Sequence, residues 1–576
     1  MSDNAVDREL TDLIAAHRDV LRAPDLVMAP DRLGAARLTR YSFSRSVLRR
    51  AHSRGWVASC VHLDLDAEGQ GEVAYRVDAE GYVFHFVAFL QALEEHEHTD
   101  RVVAERWEIA AALIEGELTI DQWERLRRNV PEQERGRLGP DVLALTRGNR
   151  SVRFFEYLVS ELAAGRQPDP QHVGDAGYIM RSTAFYANGK FGMRSFHGYE
   201  ADHPLAAPYR AQFLAAWCYR ELSYDVVEHC ARVRGGDVAV PFTGGWRSYF
   251  GLGNATGLGL VPYAFKHPKV INAWVGVREL ALVRVRRLGH SSETVEKFRS
   301  WIAWADAHFR TGTSDDATPF LSPAQLVPVV QSIAVAFDNV SDAAKPFDEI
   351  MTWAMDQPVE TAELVVSLLL ELDDWDDETV DRLLAVSEAA ELELGMSVDA
   401  ARTLLDVRFG WVAESGLGRA ESARNWWVYS NNTEEPRRID RQALLVGDHD
   451  MGIDVATRMA ALRLELESWP TSSMLGEVAA MRPEHLLAIE RLFISDQPYG
   501  EPRDNACSDS YLPLQIQRLQ LAQYGMDNFK PKSTDWLRVT LFQGAPRLGD
   551  LMHLEAYEDD WVLPPLPGTP PEGERT

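Results

Sequence analysis

Between Trp56 and Leu90 apolar residues recur at every second position, and from about Thr119 onward at every third or fourth. A period of two belongs to a strand with one face covered, and a period near 3.6 to a helix with an apolar stripe. The chain is therefore expected to be α+β: predominantly α-helical, with a small antiparallel N-terminal sheet. Residues 56–66, 71–78 and 82–90 are separated by the turn-forming DAEGQ and AEG, which predicts a three-stranded meander. Residues 102–114 fit a fourth strand or a helix equally well. Helical spacing covers 6–27 and 36–54, the second with a basic side of Arg45, Arg49 and Arg50. It returns over 151–164, 208–233, 270–288 and 292–309, and in a further series from 323 to 495. Residues 536–543 (WLRVTLFQ) read as a late strand that joins the N-terminal sheet.

A chain of 576 residues exceeds one ordinary core. The pattern divides it into an α+β region over 1–148 and a central helical body over 149–310. A mostly helical region over 323–565 and a proline-rich, disordered tail over 566–576 follow. Against 59 basic residues stand 87 acidic ones, a net charge of −28, which argues against nucleic acid or an anionic membrane as partner. A small anionic ligand stays open, because a local basic pocket can oppose the global field, and a homodimer is open too. Cys60, Cys218, Cys230 and Cys507 lie far apart with no CxxC pair, as in a reducing compartment. The acidic start MSDNAVDRELTDL is no signal peptide, and no apolar run spans a bilayer, so a cytoplasmic protein is expected.

Two long segments rich in glycine and aromatics, 183–204 and 235–263, read as functional loops. In the second, Gly251, Gly253, Gly257 and Gly259 bracket Asn254 and Thr256, with Arg247, Lys266 and His267 nearby. Such a run aims backbone N–H groups at an anion. No GK[ST] follows it and no strand-like run precedes it, so it is neither a Walker nor a Rossmann fingerprint. In the first, the Asn-Gly turn of R-S-T-A-F-Y-A-N-G-K-F-G brings Arg181, Tyr186 and Lys190 together, a set suited to a carboxylate or phosphate. The bland counterpart is a tight turn and a basic loop paired with the chain's own carboxylates. Four further clusters have structural readings. His197–His203 lacks a metal spacing. Cys230 fits a core position, with Asp225 and His229 as an i,i+4 pair. The acids at 373–378 suit a helix start. Residues 501–511 hold helix-capping types beside Arg503 and Asp504.

The segments 181–192, 251–262 (GLGNATGLGLVP), 538–546 (RVTLFQGAP) and 499–505 (YGEPRDN) resemble a bacterial family of uncharacterised proteins of about this length. The resemblance covers most of the chain and implies one cooperative unit; no activity comes with it. The function expected from the residues is an enzyme acting on a small anionic metabolite by metal-independent acid–base chemistry. Arg181, Lys190, Arg247 and the glycine backbone would hold the anion, and Tyr186 and Thr256 would do the chemistry with Asn254. No cofactor is required by the sequence; a flavin- or nucleotide-dependent enzyme is one alternative. A binding or scaffold protein using helices 323–495 is the other.

Overall fold

The computed structural model describes residues 3–94, 107–132, 138–174, 177–187, 199, 202–257, 268–312, 320–385, 396–414, 427–430, 433–438, 452–500, 513–526, 529–533, 536–551 and 559–568. Two compact units emerge, each assembled from three separate stretches. One is Met1–Arg37, Gly257–Leu288 and Met351–Gln520; the other is Leu38–Thr256, Gly289–Ile350 and Leu521–Thr576.

The first unit is chiefly helical. After α1 (Asp3–Ala16), α2 (Pro24–Val27) and α3 (Pro30–Leu33), its central element is the helix Pro268–Arg286, buried on every side. That helix packs on α1 and on the helices Val359–Leu370 and Asp377–Leu384. A helix enclosed on all sides is apolar all round, and Val270, Ile271, Trp274, Val277, Leu280 and Val285 follow that rule. Its charges are buried in matched sets. Arg22 donates from Nε and Nη2 to both oxygens of Glu279 at 2.8 and 2.5 Å, and from Nη1 to Glu363 at 2.6 Å. Arg32 donates to the same Glu363 oxygen at 2.8 Å. Farther along, Leu405, Phe409, Met459, Leu462, Val478 and Leu492 form a separate apolar cluster.

The second unit is organised on one nine-stranded sheet of order β1-β2-β3-β4-β5-β6-β7-β11-β10. Its strands are β1 (Val57–Leu65), β2 (Gly71–Ala79), β3 (Tyr82–Leu90), β4 (Ile109–Glu115), β5 (Val142–Arg150), β6 (Tyr178–Ala187) and β7 (Gly251–Gly257), closed by β10 (Phe529–Ser533) and β11 (Trp536–Leu541). The hairpin of β8 (Trp427–Ser430) and β9 (Thr433–Arg438) is separate and lies in the first unit. The consecutive strands β1 to β6 pair antiparallel, whereas β6 and β7 are parallel. The predicted meander is β1–β3, residues 102–114 contain the strand β4, and the late strand β11 joins the sheet. Mixed α+β is therefore the fold class, but the expectation of a small, N-terminal sheet is corrected: strands come from residues 57 to 541. The segments expected as loops hold β6 and β7. Gly251 and Gly253 of the second serve close approach between strands, as described below.

Both faces of this sheet are covered. The 26-residue α8 (Arg210–Gly235) packs on β4, β5 and β6, with α4 (Phe43–Ser53) and α6 (Phe155–Ala163) beside it. On the opposite face, Leu126 and Val130 at the end of α5 (Ile120–Asn129) pack on Ala74, Val87, Ala112 and Leu145. Between the later strands run α7 (Pro170–Val173) and α9 (Gly244–Tyr249). Among the described residues no helix is long and apolar enough to cross a membrane.

Candidate functional site

The sequence of α4, F-S-R-S-V-L-R-R-A-H-S, has one apolar stripe (Phe43, Val47, Ala51), yet Ser44, Arg45, Ser46 and Arg49 are buried with it. Arg45 is wholly enclosed, and Arg210, in the first turn of α8, is 3% exposed. Placing guanidinium groups inside a protein costs several kcal/mol each unless other groups replace water. The surroundings are correspondingly polar. Ser42 accepts from the backbone N–H of Thr39 at 3.0 Å and donates to the carbonyl of Ala522 at 2.7 Å. Arg210 donates from Nη2 to Ser46 Oγ at 2.9 Å. The Arg45 guanidinium lies 5.8 Å from the ring centre of Trp561. Ser44 Oγ is fully enclosed and makes no hydrogen bond. Gly525, at φ +95°, presses its backbone against that hydroxyl so closely that a Cβ would overlap it.

The start of α8 adds a second electrostatic term. A helix N-terminus carries about half a positive charge, so a cation there is repelled and an anion attracted. Arg210 has the unfavourable sign for this position. Its N-cap, Tyr209, has φ +59°, a left-handed conformation that costs about 1–3 kcal/mol for a bulky residue. Phe542, at the end of β11, has φ +59° too. Both belong to one aromatic knot. Tyr209 stands 5.3 Å from Phe43 and 5.2 Å from Tyr524, and Phe213 stands 5.5 Å from Phe185 of β6 and 6.3 Å from Phe542. Packing of this density holds the two strained residues in place.

A second polar network runs along α8. Arg547 donates to Glu221 at 2.9 and 2.5 Å and to Asp225 at 2.8 Å, while Tyr75 of β2 donates to the other Asp225 oxygen at 2.5 Å. Burial pushes the Asp225 carboxyl above the usual range, and the nearby Glu221 charge adds to the rise. Burial likewise pushes the Tyr75 phenol well up. The i,i+4 pairing of Asp225 with His229 is not formed; His229 Nε2 lies 2.9 Å from the carbonyl of Asp66. Arg220, one residue before Glu221, is 1% exposed and donates to five carbonyls, of Arg247 and Ser248 on α9, Phe250 just after it, and Ala545 and Pro546. The acids at 373–378 follow their structural reading: Asp376 caps the helix Asp377–Leu384 by accepting from Thr379 N. His203, expected in a solvated loop, is instead buried, and its Nδ1 accepts from Leu205 N.

The residues chosen from sequence fall as follows. Arg181 lies on β6 opposite Asn149, with Nε donating to the Arg150 carbonyl at 3.4 Å. Tyr186 lies on β6 in register with Leu145. Gly251, Gly253, Asn254, Thr256 and Gly257 lie on β7. Lys190 and Gly259 are outside the described residues. β6 and β7 are neighbouring strands, paired where Tyr178 meets Gly251 and Met180 meets Leu252; both of these β6 residues precede the segment 181–192. The cradle expected at the first glycines is corrected. Gly251 N donates to Gly177 O at 2.8 Å, a strand contact. A Cβ on Gly251 would strike the Leu541 carbonyl of β11, and one on Gly253 would enter the ring of Tyr178. Arg247, on α9, faces Glu228 at 3.9 Å, and its carbonyl accepts from Arg220. The sequence-level signal for the buried site was Arg45 and Arg49 at i,i+4 on α4; what it lacked was any sign that this basic side is enclosed.

Gly253→Ala is accordingly expected to cost about 1–3 kcal/mol through overpacking. Tyr178→Ala in the same chain should recover part of that loss. Denaturant midpoints of the two single variants and the double variant test this, and strictly additive losses would remove Tyr178 as the cause.

No protein-family model matches the chain, and neither a curated protein nor a solved structure matches it.

Proposed function

We propose that the chain is an enzyme that acts on a small anionic metabolite, a carboxylate or a phosphate ester, bound by Arg45, Arg49 and Arg210. The observation that carries this reading is three buried guanidinium groups on α4 and the first turn of α8, in a chain of net charge −28. A bound anion would offset the repulsion between Arg210 and the helix start. The β6 segment singled out from sequence approaches the same place, since Phe185 touches Phe213, one turn after Arg210. In this proposal Arg181 adds positive charge from β6, and Thr256 carries the polarising role. The compartment proposed is the cytoplasm.

The test is thermal stabilisation by inorganic phosphate, pyrophosphate and succinate. Stabilisation grows as RT ln(1 + [L]/Kd), about 2.7 kcal/mol at a hundredfold excess over Kd. Arg45→Gln, Arg49→Gln and Arg210→Gln should each abolish the response of the wild type while retaining its circular dichroism. Equal responses in all three variants would move the site elsewhere. Once a substrate is found by screening metabolite pools, Thr256→Val should lower kcat far more than it raises KM.

A further inference from the structure

β1 and β10 are the two edges of the nine-stranded sheet, and their chemistry is opposite. β10 is five residues, F-K-P-K-S. Pro531 lacks an N–H to offer, and Lys530 and Lys532 flank it, which are devices that stop an edge from recruiting another strand. β1 is nine residues, V-A-S-C-V-H-L-D-L, and has none of these. Val57, Val61 and Leu63 stand 46, 51 and 42% exposed on it. Only its inner side is paired, from Val57 opposite Asp78 to Leu65 opposite Gly71. The register shift between Cys60 and His62 puts His62 and Asp64 on the sheet face that Ala74 and Glu72 occupy.

Asp64 is poorly served by its own chain. It sits directly opposite Glu72, a like charge, which destabilises a cross-strand pair. Glu72 is taken by Arg127 and by the Trp123 indole at 2.7 Å. Among the described residues the Asp64 side chain makes no hydrogen bond and no ion pair. The five residues 61–65, V-H-L-D-L, are self-complementary about their centre, with aliphatic residues at the ends and middle and opposite charge types between.

We propose that β1 pairs antiparallel with β1 of a second copy of this chain, about a two-fold axis at Leu63. Leu63 then meets its own counterpart. His62 of each copy faces Asp64 of the other, giving two equivalent contacts on one face and supplying the donor that Asp64 lacks. The two sheets become continuous across the axis, and residues 61–65 of the exposed edge are covered. An isologous contact of this kind closes at two subunits.

Light scattering after size exclusion tests the pairing on the full chain. The wild type is expected at twice the 64.7 kDa chain mass. Leu63→Lys and His62→Asp should each halve that mass, and the double variant H62D/D64H should restore it, because the charges are exchanged but still complementary. Circular dichroism and the thermal midpoint establish that each variant is folded. A monomeric wild type overturns the proposal, including the case where a strand of another protein covers β1. Two other outcomes overturn it as well: a dimer indifferent to L63K and H62D, or a folded double variant that stays monomeric.

Discussion

Arg220→Ala is expected to lower stability by about 2 kcal/mol or more. Its guanidinium donates to Phe250 O at 2.7 Å, Pro546 O at 2.9 Å, Ala545 O at 2.7 Å, Ser248 O at 2.8 Å and Arg247 O at 3.3 Å. Each buried carbonyl left without a donor costs about 1–3 kcal/mol. Phe250 O keeps the Tyr224 hydroxyl, Pro546 O the Trp217 indole and Ser248 O the Gly544 N–H, so the loss falls on the carbonyls of Ala545 and Arg247. Arg220→Lys should recover little, since an ammonium offers three donors from one point and cannot fork between the end of α9 and the turn at 545–546. Urea midpoints with unchanged m-values measure the effect. A loss below about 1 kcal/mol for the alanine variant would mean that the carbonyls find other donors.

Glu363→Gln is expected to cost about 3–5 kcal/mol in the first unit, because Arg22 and Arg32 would keep their buried charge without its counterion. The same carboxylate sets an acid limit. Burial pushes its pKa up, and the charges of Arg22 and Arg278, with hydrogen bonds from Arg22 and Arg32, outweigh that and hold it below the usual glutamate range. A lowered folded pKa stabilises above the unfolded value, near 4.3, and the contribution is lost as pH falls through the folded value. Asp225 has the opposite sign. Its raised pKa disfavours the folded state at neutral pH, and that cost is relieved as pH falls through its folded value. Mild acidification should therefore favour the second unit before stronger acid unfolds the first. Unfolding followed by hydrogen exchange in each unit checks the order; simultaneous acid loss in both would contradict it.

What could be read from sequence was what neighbouring residues decide. The alternation through β1–β3 and the turns between them are local, and so are the stripes of α8 and of the helix Pro268–Arg286. The strand β7 was not legible, because glycine in a strand carries no pattern of its own. At Gly253 the residue answers to the ring of Tyr178, 75 positions away, and at Gly251 to the backbone of Leu541. The partner of Glu221 is Arg547, 326 positions distant. Arg45 and Arg49 were visible as a basic side of a helix, but their enclosure depends on Arg210 and Trp561. Sequence singled out Gly251 and Gly253, whose tight approach to Leu541 and Tyr178 no neighbouring residue announces.

The interleaving of the two units has a consequence for synthesis. The first unit is incomplete until residue 520 has been made, and the sheet of the second lacks its last two strands until residue 541. At about 5–20 residues per second, the early strands wait roughly half a minute to two minutes for β11 to reach them. Through that interval the side of β7 that β11 will take is a further open edge, beside the outer side of β1. Closing contacts of such sequence separation is slow, so newly made copies should depend on holdase chaperones more than their final stability would suggest. A circular permutant that begins at β10 would supply those two strands first and shorten that dependence.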